Sequence, residues 1–133
     1  MKEKLNKITG QYKSEYNLDT RIDIIQEGLN CYFNRKGNYI FFAIDFIKNG
    51  YTNNNLTKRS GYKDFENNLV FALLHEIHHA IDYKNNSQKF DDEFAHVNIG
   101  LYRDDKEYHH SCPFEIRADE FARKELVKWI EVN

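Results

Sequence analysis

The sequence predicts an α+β fold: a small, mostly antiparallel sheet packed on a long helix and a C-terminal helix, all in one domain, 1–133. Three observations predict it. Runs rich in Ile, Tyr and Phe, broken by turn residues, fill positions 21–47. After Asp64 the apolar residues change to a helical period, and a second helical pattern opens at Pro113. With 133 residues, 41% of them hydrophobic and 15% aromatic, the chain can bury one core and is too short for two domains.

Charge and composition narrow the function classes. Nineteen basic residues stand against twenty-one acidic ones. That balance argues against direct nucleic-acid binding driven by bulk positive charge. No apolar run approaches the roughly 18 residues of a membrane span. Met1-Lys2-Glu3-Lys4-Leu5 lacks the apolar stretch of a secretory leader. Two cysteines, Cys31 and Cys112, are too few for a disulfide framework and suit a reducing, cytoplasmic setting.

The elements follow in chain order. Leu5, Ile8, Tyr12 and Tyr16 recur at helical spacing, which predicts an amphipathic helix over 2–16. Arg21–Ile25, Leu29–Asn34 and Asn38–Ile47 read as strands, separated by Gly28 and by the turn Asn34-Arg35-Lys36-Gly37. The polar stretch Lys48–Gly61 reads as a loop. Asp64 is an N-cap for a helix running to Tyr83. On that helix Leu69, Val70, Leu73, Leu74, Ile77, Ala80 and Ile81 fall in one stripe about 140° wide. Lys84-Asn85-Asn86 ends it, and 87–112 reads as irregular with a helical turn near Phe90–Val97. Pro113 suits the first turn of the last helix, which extends to about Val132 and carries Phe121, Leu126, Trp129 and Ile130.

The chemistry lies on the two long helices. His75-Glu76-Ile77-His78-His79 contains a His-Glu-x-x-His motif. Residues four apart on a helix share a face, so His75 and His79 can bind one Zn²⁺ through a nitrogen each. Glu76 is rotated by about 100° from His75. That places it to act on a water at the metal as catalytic base without being a ligand. The two histidines lie opposite the apolar stripe, and Phe71 and Ala72 flank them, which is unlike a plainly solvated face.

A catalytic zinc takes three protein ligands and keeps a fourth position open. In the last helix Glu115, Asp119, Ala122, Leu126 and Trp129 share a face whose C-terminal half is apolar. Two carboxylates on an inward face need partners, since a bare buried charge is costly. Glu115 is assigned as the third ligand. Asp119 is assigned as the acceptor that orients a ligand histidine through its other ring nitrogen.

These pieces resemble the zincin-like metallopeptidases of the gluzincin kind. Phe71-Ala72-Leu73-Leu74-His75-Glu76-Ile77-His78-His79 and Glu115-Ile116-Arg117-Ala118-Asp119-Glu120-Phe121-Ala122 are most similar to the ImmA/IrrE family; His79-Ala80-Ile81-Asp82-Tyr83 also resembles the anthrax lethal factor-like peptidases. The resemblance implies a zincin-like fold, with His75, His79 and Glu115 on zinc and Glu76 as base. It also implies a transcriptional repressor as the protein cleaved. Two positions depart from the pattern: His78 stands where such families usually have Gly, and Arg117 where an acidic residue is common.

Other residues are weighed beside these. His78 lies on the edge between metal face and core. Asp82, one turn on, either bonds a ligand histidine or is a solvated acid. Tyr108, His109 and His110 could donate to an oxyanion, or simply form a polar loop. A rival zinc set of His109, His110 and Cys112 fits no common spacing, and His96 reads as a surface or packing residue. The sequence therefore predicts a zinc metallopeptidase acting on a protein or peptide, bound as an extended strand along a sheet edge supplied by Asn38–Ile47. Two alternatives are a zinc-stabilised protein-binding module without activity and a structural zinc fold with a closed site.

Overall fold

The computed structural model describes residues 1–131, apart from the side chains of 50, 51 and 131. A buried helix organises the molecule. This helix, α4, spans Phe65–Ala95 and follows α1 (Lys2–Glu15), strands β1 (Arg21–Ile25), β2 (Cys31–Asn34) and β3 (Tyr39–Ala43), and helices α2 (Ile44–Lys48) and α3 (Gly50–Ser60). It is followed by α5 (Ile99–Asp104), α6 (Lys106–Ser111) and α7 (Pro113–Glu131). Val132, where the last helix was expected to end, lies outside the described residues.

The sheet is mixed, with strand order β1-β3-β2. β1 runs parallel to β3, pairing Arg21 with Tyr39 through to Ile25 with Ala43. β2 and β3 form an antiparallel hairpin. The expectation of a mostly antiparallel sheet is corrected here, because the chain returns from β1 past β3 and only then turns back. That return is tight: a Cβ on Gly28 would come within 2.7 Å of the Ala43 Cβ, so only glycine passes there. The hairpin turns through Asn38 at φ +51°, a left-handed conformation that asparagine tolerates. Asn34 steadies it by accepting from the Gly37 amide.

A second correction follows from the strand order. Asn38–Ile47 is not an edge: β3 is the centre of the sheet, its polar backbone groups paired on both sides. The strand also stops at Ala43, and Ile44–Lys48 turns into α2, burying Ile44 and Ile47. The free edges belong to β1 and β2.

Ile24, Ile40 and Phe42 point from the sheet into a core shared with Leu5, Ile8 and Tyr12 of α1, the apolar stripe of α4, and Ala122, Leu126 and Trp129 of α7. Asp64 caps α4 as expected, its carboxylate accepting from the Asn67 amide. The helix continues beyond Tyr83, however. Asn86 leaves helical geometry (φ −140°, ψ 48°), and the chain resumes as helix to Ala95. The stop signal at Lys84-Asn85-Asn86 therefore produces a kink. Residues 87–112, expected to be irregular, are largely helical. They are anchored by a separate aromatic cluster in which Phe90, Cys112 and Phe114 pack with Phe94, Tyr102 and Tyr108.

Lys48–Gly61, expected to be a loop, is mostly α3. A buried polar network seats it on α4. The Asn68 carboxamide, fully buried, accepts from Ser60 Oγ at 2.6 Å and donates to Asn53 Oδ1 at 2.9 Å and Thr57 Oγ1 at 3.1 Å. Such polar contacts leave no apolar periodicity, so hydrophobic patterning does not reveal this helix. Among the described residues no helix is long and apolar enough to cross a membrane.

Candidate metal centre

His75 and His79 sit two helical turns and more beyond Asn68 on the same side of α4. α3 and α7 cover that side, so both rings are buried. From α7, Glu115 reaches the same point. Its Oε1 lies 3.1 Å from His75 Nε2 and 2.5 Å from His79 Nε2, and the two Nε2 atoms are 3.1 Å apart. One atom from each residue lies within 4.8 Å of the others, a grouping able to hold a metal ion.

The donor set fits zinc on its chemistry. Asp119 Oδ1 is 2.7 Å from His75 Nδ1. A carboxylate only accepts, so a neutral His75 carries its proton on Nδ1 and turns a bare lone pair at Nε2 inwards. Two imidazole nitrogens and a carboxylate oxygen then converge in a buried space, and a cation is what satisfies such a set. Protons are the other solution. Burial opposes charge on His75, but bonds to Asp119 and Glu115 outweigh it and raise its pKa to about 9. Burial likewise opposes charge on Glu115, yet the surrounding His79, His109 and His75 hold its carboxyl well below the usual range.

The outer oxygen of Glu115 is also held. Tyr102 donates its hydroxyl to Oε2 at 2.9 Å, and His109 Nε2 pairs with the same oxygen. His109 Nδ1 faces the Tyr102 carbonyl oxygen at 3.0 Å. These residues come from α5 and α6 and close over the centre, leaving Glu115 only 2% exposed. Tyr102 escaped the sequence reading because nothing in its local pattern marks it; only the aromatic cluster brings it to the site.

Arg59 of α3 also escaped. Its guanidinium grips Asp119 with both arms, Nη2 to Oδ1 at 2.7 Å and Nε to Oδ2 at 3.0 Å. Burial opposes charge on Asp119, but His75 and Arg59 hold the carboxyl far below its ordinary value.

The other candidates take separate places. Glu76 is half-buried beside the histidines, and burial raises its pKa against the lowering effect of His75 and His79. Asp82 is neither a solvated acid nor a partner of a ligand histidine: it is buried and accepts from Arg117 at 2.8 Å. The Nδ1 of His79 is buried without a hydrogen-bond partner. His78 packs on Phe121 at 4.9 Å between ring centroids, and burial lowers its pKa to about 4. The Tyr108 hydroxyl accepts from the Asn98 amide at the start of α5. His110 has a buried, unpartnered Nδ1, and its pKa is lowered to about 4, first by burial and then by Arg59. Cys112 packs into the aromatic cluster, with its thiol against the Tyr108 carbonyl oxygen, so the rival set with His109 and His110 does not assemble. His96 is exposed and bonds the Asp92 carbonyl oxygen. No protein-family model, curated protein or solved structure matches this chain.

Proposed function

We propose that this protein is a zinc-dependent metallopeptidase, with His75, His79 and Glu115 as the ligands and Glu76 as the base. One observation carries the reading: three lone-pair donors from two separate helices converge in a buried space, with a carboxylate one residue from the first histidine. Zn²⁺ held there supplies Lewis acidity towards a peptide carbonyl and lowers the pKa of water. Asp119 keeps the His75 proton on Nδ1, so Nε2 stays available. Glu76, its affinity for a proton raised by burial, takes the proton of the attacking water and delivers it to the leaving amine.

A peptide substrate has one suitable edge. β2 has a free side and lies against α4, with Phe33 stacked 6.4 Å from His79 and Cys31 within the electrostatic reach of Glu76. Strand addition there brings a peptide backbone past the centre. The site operates in the cytoplasm on a regulatory protein such as a transcriptional repressor, following the family resemblance.

The near-complete burial of the three ligands favours a second reading, a zinc-stabilised binding module that cleaves nothing. Glu76→Gln separates the two. A peptidase keeps its zinc and loses cleavage by at least a hundredfold in this variant, measured on proteins cut in cells that carry the active or the altered form. If no protein is cut differently, the binding module stands. Metal analysis tests the ligands themselves. Protein purified without added metal should hold one zinc per chain, and His79→Ala should hold none.

A further inference from the structure

Asp119 Oδ1 accepts two bonds, one from His75 Nδ1 and one from Arg59 Nη2, each at 2.7 Å; Nη2 also lies 3.2 Å from Nδ1, but both are donors that share this acceptor and do not bond each other. The second arm of Arg59, Nε to Oδ2 at 3.0 Å, fixes the rotation of the carboxylate. A carboxylate held at one oxygen can swing; one held at both keeps its plane. That plane aims Oδ1 at the ring of His75 and so sets the direction of Nε2.

Arg59 is itself held in place. Its side chain is 19% exposed and lies over the Phe71 ring, 5.5 Å from the centroid. Its carbonyl oxygen accepts from Arg123 of α7 at 3.1 Å. The buried network of Asn53, Thr57, Ser60 and Asn68 fastens α3 to α4 two turns before His75. α3 thus spans from α4 to α7 and carries a guanidinium to the carboxylate that orients a ligand.

We infer that Arg59 is a positioning residue of the metal centre, acting through Asp119 to hold His75 in its metal-binding orientation. This rests on the metal reading above and needs no peptide to be cleaved. An ordinary structural ion pair stabilises the fold whether or not a metal is bound. A positioning pair changes metal affinity, and does so only while Asp119 is there to transmit it.

The test uses the full chain and zinc alone, titrated in competition with a chromophoric chelator. Arg59→Met should weaken zinc binding about 10–100-fold, the usual effect of removing an outer partner of a ligand histidine. Arg59→Lys keeps the charge without the two-armed grip and should fall between. In an Asp119→Asn background, Arg59→Met should add less than about threefold. By nitrogen-correlated NMR of zinc-loaded protein, the His75 Nδ1 proton should exchange with water faster in Arg59→Met. Zinc affinity within twofold of the parent in Arg59→Met overturns the assignment, as does an equal loss in the Asp119→Asn background. If Arg59→Met does not fold, Arg59→Lys decides: a loss of affinity absent in the Asp119→Asn background supports the role, and parental affinity removes it. A parent chain that binds no zinc removes both proposals. Zinc bound and weakened as described, with no protein cleaved, removes the peptidase and leaves Arg59 its role.

Discussion

His75 stands between two carboxylates that ask different things of it. Asp119 accepts at Nδ1 and Glu115 faces Nε2, so a metal-free ring takes a second proton and its pKa rises to about 9. A metal ligand must be neutral. Zinc binding at pH 7 is therefore expected to release at least one proton. Calorimetry in two buffers of different ionisation enthalpy measures it directly, and a heat independent of buffer would contradict the charge state given to His75. Asn68 presents a second residue-scale case. Its carboxamide makes three hydrogen bonds in a fully buried setting. Asn68→Ala leaves Ser60, Asn53 and Thr57 without that partner and is expected to cost about 1–3 kcal/mol. Chemical denaturation checks this; a change below about 0.5 kcal/mol would mean that water replaces the carboxamide without penalty.

At the scale of elements, α4 is two helices joined at Asn86, and Arg117 clips them together. Its guanidinium bonds Asp82 before the kink, at 2.8 Å and 3.0 Å, and Glu93 after it, at 2.8 Å and 2.6 Å. Asp82 is only 5% exposed, so it relies on this partner. Without Arg117 the second half of α4 keeps the aromatic cluster of Phe90, Phe94 and Phe114 as its main attachment. Arg117→Met is expected to cost about 1–3 kcal/mol. Its amide exchange should quicken over residues 87–104 more than over 65–83, since opening is local to the weaker unit. Uniform quickening along α4 would show that the two halves open as one. Arg117 thus has a structural reason at this position: two carboxylates face it.

Across the whole molecule, His75 and His109 are shifted up and His78 and His110 down, with opposite effects on pH stability. His75 is raised to about 9, so in the metal-free protein its stabilising contribution is full below its unfolded value of about 6.5 and is lost as pH rises towards 9. His78 and His110 are lowered to about 4 by burial, so the unfolded chain binds protons first and stability falls as pH drops from about 6.5 towards 4. Metal-free protein should be most stable near pH 6.5, with lower melting temperatures on both sides. Thermal unfolding across pH 4–9 tests this, and a maximum at either end would refute the assignment. Adding zinc should raise stability most on the alkaline side, where no proton has to be displaced from His75.

The long-range periodicities, and the grouping of polar residues that rides on them, are legible in the sequence. His75 and His79 lie on one face of α4 because helix geometry places residues four apart together, and the apolar stripe of that helix is buried from Leu69 to Ile81. The inward face of α7 followed from the same reasoning, and Glu115 and Asp119 are buried on it. The tertiary structure decided whatever depends on polar or non-local pairing. α3 is held by amides and hydroxyls, which carry no hydrophobic period. β3 became the central strand because β1 pairs with it in parallel across a reversal that local turn signals do not encode. Arg59 and Tyr102 reach the candidate metal centre from segments of no marked character, since a hydrogen bond to a distant carboxylate depends on where the chain is carried, and short-range sequence pattern is silent on that.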